Sequence, residues 1–534
     1  MNETETRVGR IVSVSGAQIV CLLDKPEKHD TTGSYDIQTG AVVKTHTVGS
    51  TIFSIVRGVS IPVPSESGNG EELCIAELEL VGEILRQSNP EEEKFQRGVS
   101  VFPKLGTPVY ASAPQDLQQV LACPGVAAAR IGSVFQDRSL PAYVRVNDLL
   151  GKHFAVLGTT GSGKSCAVTV ILKAVLRESE RARILLLDPH NEYSQAFGET
   201  AHALDPAVNL DLPHWLFNFD EMVEIVLGNE GEERAAQAMI LAEGIMSARK
   251  RFLGDKKLPH VLTIDTPIPY RMADVIEYVD HAQGNLSRRE SLTNYTRLLN
   301  RLNALYNDSR FAFMFGRGTR DNMKDILCEL FRVPVADKPV TIVNLAGVPS
   351  EVLNVVVSVL CRLSFDFAMW TEREFPVLVV CEEAHRYAPR TSNMGFEPTK
   401  RVLTRIAKEG RKYGVSLCIV SQRPSDMAES VLAECNSMFA LRMTNQNDQD
   451  MVRAALSEAP LGLLEFLPSL RTGEAIAIGE GMPMPVRVAF DVLPTNEMPR
   501  SETAVFTSPS IAKAAVDDLV RIAVERWRSR QKAA

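Results

Sequence analysis

Apolar positions change their rhythm twice along the chain. Over the first hundred residues they come in short runs rich in Val and Ile: Gly9–Val14, Gln18–Leu22, Ser50–Val56 and Leu73–Ile84, broken by Gly, Pro and Ser at short intervals. That pattern predicts a small β-barrel or sandwich, and residues 1–112 are read as an N-terminal β-barrel. Long helical spacing is absent until about Pro114, and 113–150 reads as a connector.

The second regime opens at His153. An apolar strand (Phe154–Leu157), a Gly-rich turn, a helix (Lys164–Arg177) and another apolar strand (Ile184–Leu187) follow in order. This βαβ unit predicts a parallel sheet with helices on both faces, an α/β fold. Residues 210–335 are rich in Leu, Arg and Asn with little strand signal, so they are read as a helical insertion subdomain. It divides the core into a first part, 151–209, and a second part, 336–495. Strand patterns return at Val340–Leu345, Val377–Cys381 and Ser416–Ser421, followed by a hairpin-like pair, Glu474–Ile478 and Val486–Phe490. Residues 496–534 form a C-terminal arm in which Val516, Leu519, Val520, Ala523 and Trp527 fall on one helical stripe.

Composition narrows the class. A chain of 534 residues exceeds one compact core and divides into three or four units. With 45% hydrophobic and 23% charged residues it reads as soluble and globular. The net charge of -8 excludes a protein coated in basic surface, while leaving room for a local basic stripe such as a channel lining. Nine cysteines without a CxxC pair read as reduced thiols, with no zinc site. The N-terminus lacks an apolar signal segment, and Val352–Phe365 is interrupted by Asn354, Ser358 and Arg362, so no membrane span and a cytoplasmic location are expected.

The chemistry concentrates in a few short motifs. Gly158-Thr159-Thr160-Gly161-Ser162-Gly163-Lys164-Ser165 satisfies GxxxxGK[ST] between a strand and a helix, with Cys166 following in the first turn. Gly161 and Gly163 let backbone N–H groups converge on one concavity, to which the helix adds its positive end. Lys164 then reaches the β- and γ-phosphates of ATP, and the Ser165 hydroxyl ligates Mg²⁺. The apolar strand Val377–Cys381 empties onto Glu382 and Glu383, which predicts a carboxylate near Mg²⁺ and a general base for the attacking water. The first acid is Glu rather than Asp, and its extra methylene displaces the metal's water shell. After Val415–Ser421, Gln422 is read either as a γ-phosphate sensor or as a strand-end cap. Asp188-Pro-His-Asn-Glu-Tyr193 likewise supports two readings, acids directed at the water or metal, or an Asp188 that caps a turn.

These motifs, with Glu382-Glu-Ala-His385, Glu409-Gly-Arg-Lys-Tyr-Gly414 and Ser421-Gln-Arg-Pro424 in this order, resemble the HerA branch of the HerA/FtsK ATPases. The resemblance implies a RecA-like P-loop core behind a small barrel, a homo-hexameric ring with ATP between subunits, and duplex DNA threaded through a central channel. It also implies an arginine finger: Arg411 is the first choice, in cis or across the interface, and Lys152 occupies a second basic position without the planar guanidinium fork. Relatives pair with a NurA-like nuclease in DNA end processing, or with nuclease or sirtuin-like effectors in antiviral defence. No nuclease constellation stands out in this sequence, so a separate effector docked on the barrel is expected.

Arg288, Arg289, Arg297, Arg301 and Arg310, followed by Arg317 and Arg320, form a local basic run in the helical region. It reads either as a phosphate-contacting stripe or as a wet helix face. Two other functions stay open at this level: a ring scaffold that binds ATP to assemble partners, and a conjugation or secretion pump. DNA-stimulated phosphate release separates a motor from a scaffold.

Overall fold

The computed structural model describes residues 5–16, 18–24, 37–61, 73–87, 93–228, 233–254, 261–284, 289–316, 319–335, 338–391, 397–456, 461–500 and 518–525. Seven strands occupy the N-terminal region: β1 (Arg7–Ser15), β2 (Gln18–Leu23), β3 (Val42–His46), β4 (Ser50–Ser60), β5 (Ile75–Leu85), β6 (Phe95–Arg97) and β7 (Pro108–Ala111). Their order is β2-β1-β7-β3-β4-β5-β6, and an added β2–β5 pairing closes six of them into an antiparallel barrel with β6 outside. Closure removes the exposed edges that short strands would otherwise leave. Val8, Ile11, Ile19, Cys21, Val43, Val56, Ala76, Leu78 and Val109 fill the barrel.

The second sheet has eleven strands: β8 (Ala128–Val134), β9 (Pro141–Arg145), β10 (His153–Leu157), β11 (Ile184–Asp188), β12 (Ala201–Leu204), β13 (Val340–Asn344), β14 (Val377–Cys381), β15 (Val415–Ser421), β16 (Cys435–Leu441), β17 (Glu474–Gly479) and β18 (Val486–Phe490). They run β12-β13-β11-β14-β15-β10-β16-β17-β18-β8-β9. The seven from β12 to β16 are parallel, and the rest are antiparallel. β10, β11 and β14 are buried at every position, which explains why they are apolar runs rather than alternating ones.

The stretch expected to be a connector, 113–150, is part of the folded core. It holds a short helix (Pro114–Leu121), the β8–β9 hairpin at the edge of the large sheet, and a second short helix (Val146–Leu150). The strand signal in β8 is diluted because Gly132 faces the neighbouring backbone, where an added Cβ would lie 2.1 Å from the Ala489 carbonyl oxygen.

Between β12 and β13 the chain forms helices Phe219–Leu227, Arg234–Leu253, Met272–Gly284, Arg289–Asn307 and Met323–Phe331. Helix Ser350–Trp370 then crosses to the sheet. Val352–Trp370, with a mean hydropathy of 1.7, is long and apolar enough to cross a bilayer by length and composition alone. In the fold it is a core helix: Val355, Val356, Val359 and Leu360 are buried, and Arg362 binds Glu221 with Nη2–Oε2 at 2.8 Å. In the C-terminal arm residues 518–525 are helical with Leu519 and Val520 exposed, while Val516 and Trp527 lie outside the described residues.

Candidate nucleotide site

The carboxyl ends of the parallel strands meet along one rim, the position at which open α/β sheets hold ligands. Leu157 is in register with Ser421 on β15, and Cys381 with Leu187 and Ile419, so four loops converge. They are the P-loop after β10, the 188–193 turn after β11, Glu382–Glu383 after β14 and Gln422 after β15.

The P-loop is braced from two sides. The Thr159 N–H and hydroxyl both donate to the Arg442 carbonyl at 3.0 Å, and Gly473 N–H donates to the Ser162 carbonyl at 3.0 Å. Gly163 has φ +97 and Gly161 φ +74, in the left-handed region that glycine enters without strain. A Cβ on Gly163 would also approach the Gly473 nitrogen to 3.1 Å, so the position is doubly closed to side chains. Lys164 is buried, and its Nζ donates to the Thr159 carbonyl at 3.2 Å. Burial lowers its pKa, against the opposing pull of Glu382, Glu383 and Glu192. Cys166 is half-buried, and desolvation raises its thiol. Thr160 Oγ donates to Gln422 Oε1, which joins the P-loop to the end of β15.

The two acids sit in different settings. Glu382 is 3% exposed, and the buried Tyr193 hydroxyl donates to its Oε2 at 2.7 Å. Desolvation raises the Glu382 carboxyl and the Glu383 charge adds to this, while the Tyr193 hydrogen bond and Lys164 oppose it. Glu383 takes a left-handed backbone, φ 52, uncommon outside glycine and asparagine. Its Oε2 is buried 3.2 Å from His385 Nδ1 and accepts no hydrogen bond within the chain, so the carboxylate has acceptor capacity left. His385 Nδ1 is also 3.1 Å from Ser421 Oγ.

The 188–193 turn resolves one sequence alternative. Asp188 is fully buried and accepts the N–H groups of His190 (3.2 Å) and Tyr193 (3.0 Å), the capping arrangement. The acid of this turn that reaches the P-loop is Glu192, whose Oε2 accepts the Ser165 hydroxyl at 2.8 Å. The sequence reading takes the acids of this turn together, without separating Glu192 from Asp188, and does not single out Tyr193. The motif displays them, but nothing in its spacing says that adjacent side chains face different loops.

Arg411 and Lys152 are not at this rim. Arg411 is exposed in the last turn of helix Glu397–Tyr413, just before β15 begins, and Lys152 precedes β10. Lys152 Nζ binds Asp148 Oδ1 at 2.8 Å and also Glu480, and Arg411 helps hold the Glu480 carboxyl low after the Lys152 hydrogen bond. Both therefore lie at the amino ends of the strands, a strand length from the P-loop, roughly 15 Å at ~3.3 Å per residue. Completion of the site by Arg411 within one chain does not fit this geometry.

The basic run is partly neutralised. Arg297 pairs with Glu233, Arg301 Nη1 donates to the Leu227 carbonyl at 2.7 Å, and Arg310 binds Asp308 at 2.6 Å. Arg320 is exposed; Arg288 and Arg317 lie outside the described residues, as does the Arg289 side chain.

Residues 129–364 match the family described as the central domain of the helicase HerA. The DNA double-strand break repair helicase HerA of Pyrococcus furiosus is 26% identical over 418 residues, 72% of each chain. A probable helicase of Methanocaldococcus jannaschii is 26% identical over 436 residues, 79% of this chain and 77% of its own. Among solved structures, VirB4 of Thermoanaerobacter pseudethanolicus aligns with a TM-score of 0.51 at 15% identity, over 70% of this chain and 98% of that one, a likeness of fold. The HerA-type match and the P-loop make the chain an ATP-hydrolysing enzyme. Hydroxyl and carboxylate oxygens at Ser165 and Glu192, beside a glycine cradle, suit a hard cation such as Mg²⁺.

Proposed function

We propose that the protein is an ATP-driven duplex DNA translocase or helicase that works as a homo-hexameric ring in the cytoplasm. The observation that carries this reading is the separation of Lys164 and Arg411 on opposite ends of one parallel sheet. A triphosphate on the P-loop can meet that guanidinium only from a neighbouring copy, as in a site built across a subunit interface.

Within the site, the backbone amides of 161–164 and Lys164 bind and orient the triphosphate. Glu383, whose Oε2 has no hydrogen-bond partner within the chain, draws a proton from the attacking water. Gln422, tethered to Thr160, reports the state of the γ-phosphate to β15. Ser165 and Glu382 would hold Mg²⁺, and the ion, when bound, would neutralise charge on the phosphates. Duplex DNA passes through the central channel and is gripped through phosphates, which makes binding salt-dependent.

The barrel is the dock for a separate effector, a NurA-like nuclease in end processing or a nuclease or sirtuin-like effector in antiviral defence. Support comes from Val101, Phe102 and Leu105, which stand 50–69% exposed on one loop of the barrel region. Phe102→Asp with Leu105→Asp is expected to abolish co-purification with the effector and leave ATP turnover intact.

The ring itself is tested by native mass spectrometry with and without ATP, paired with displacement of a third strand from a DNA triplex. A nucleotide-stabilised hexamer that strips the third strand supports the reading. A monomer that binds ATP without moving on DNA overturns it.

A further inference from the structure

The geometry points to Glu192, and not the strand-end Glu382, as the carboxylate that serves the P-loop serine, holding the Ser165 proton so that the oxygen's lone pairs face the cation. This rests on the reading of Gly158–Ser165 as the cradle for Mg²⁺ and ATP.

A hydroxyl that ligates a metal must direct a lone pair at the ion and its proton elsewhere, and the group that takes the proton fixes the hydroxyl's rotation. Here that group is Glu192, with Ser165 Oγ to Oε2 at 2.8 Å. Glu382 is otherwise engaged: it is buried, and its Oε2 is taken by the Tyr193 hydroxyl at 2.7 Å. Consecutive residues of one turn thus face two different loops, Glu192 the P-loop helix and Tyr193 the end of β14.

The turn is held on several sides, so Glu192 has little freedom to drift. Asp188 caps it through the N–H groups of His190 and Tyr193. Asn191 takes a left-handed φ of 56, and its Oδ1 accepts the Ser194 hydroxyl at 2.9 Å. From the C-terminal segment, the Arg500 N–H donates to the Glu192 carbonyl at 2.9 Å, and Arg500 Nε donates to Gln195 Oε1 at 2.8 Å. Lys173 of the P-loop helix binds Glu497 of that same segment at 2.5 Å. The helix and the turn are strapped together by one piece of chain, which fixes the distance between Ser165 and Glu192. Glu192 is therefore a positioning residue, acting on the metal through Ser165.

The test is equilibrium binding of a fluorescent N-methylanthraniloyl ATP to the full chain, in EDTA and in MgCl₂. Wild type gains affinity on adding Mg²⁺. Glu192→Gln and Glu192→Ala are expected to lose about tenfold or more of that gain, the size typical of an outer partner of a metal ligand, and to keep the EDTA affinity. Retention of the full gain in both variants overturns the inference. So does an equal loss in EDTA, which would make Glu192 a prop of the loop, or a loss confined to Glu382→Gln. If wild type binds the analogue in neither buffer, the reading of the P-loop beneath the inference fails instead.

Discussion

The Tyr193 hydroxyl donates to Oε2 of Glu382 across 2.7 Å, joining the turn after β11 to the acid at the end of β14. Tyr193 is fully buried and its ring is part of the core, so only the oxygen is available for adjustment. Tyr193→Phe removes one hydrogen bond to a carboxyl group and leaves the packing. A bond of this kind contributes about 1–2 kcal/mol, so kcat for ATP should fall roughly tenfold with KM nearly unchanged. Steady-state kinetics check this; an unaltered kcat would make the contact structural only.

Arg411 yields a prediction about mixtures. Arg411→Ala copies have an intact P-loop but no guanidinium to offer, whereas Lys164→Ala copies have the reverse defect. Each alone should be inactive. Mixed before assembly, they should recover phosphate release above either parent, because some interfaces pair an intact Lys164 with an intact Arg411. Absence of recovery in rings shown by mass to be mixed would remove Arg411 as a finger across the interface.

The helical insertion is tied to the core by a buried pair. Glu221 accepts from Arg362 Nε and Nη2 at 2.8–3.1 Å and from Ser358 Oγ at 3.0 Å, and it caps its own helix at Asn218. Glu221→Ala removes the main carboxylate partner of the half-buried Arg362, which keeps Asp366 at 3.2 Å, and should destabilise the protein by about 1.5–3 kcal/mol in urea unfolding. The double variant Glu221→Leu with Arg362→Met should lose much less.

His153 makes stability depend on pH. Its Nδ1 accepts the Leu417 N–H at 2.9 Å, and burial pushes its pKa down to about 4, with the Arg411 charge adding to this. Above about pH 6.5 both the folded and unfolded forms are neutral, and the full contribution is present. As pH falls from 6.5 toward 4, only the unfolded chain takes up the proton, and on the order of 3 kcal/mol is lost. The denaturation midpoint should fall more steeply over this range in wild type than in His153→Asn; equal slopes would contradict it.

Much of the architecture was legible because parallel strands buried on both faces have to be apolar runs, and β10, β11 and β14 show as such in the sequence. The β8–β9 hairpin was read as a connector because Gly132, required there by the close Ala489 backbone, interrupts the strand pattern. In the site, the glycine spacing and the acids after β14 mark two of the loops that the sheet brings to one rim. Pairings across loops were not legible: Ser165 and Glu192 are 27 residues apart, and only the register of the sheet brings them to 2.8 Å. The same register carries Arg411 to the far end, which a motif list cannot show.

The most direct measurement of the central claim is phosphate release by the full chain with ATP and Mg²⁺, with and without duplex DNA, in wild type, Lys164→Ala and Glu383→Gln. The account predicts turnover that rises with DNA in wild type, and loss of about a hundredfold or more in both variants. Wild-type release that ignores DNA, or release that survives in Lys164→Ala, would contradict it.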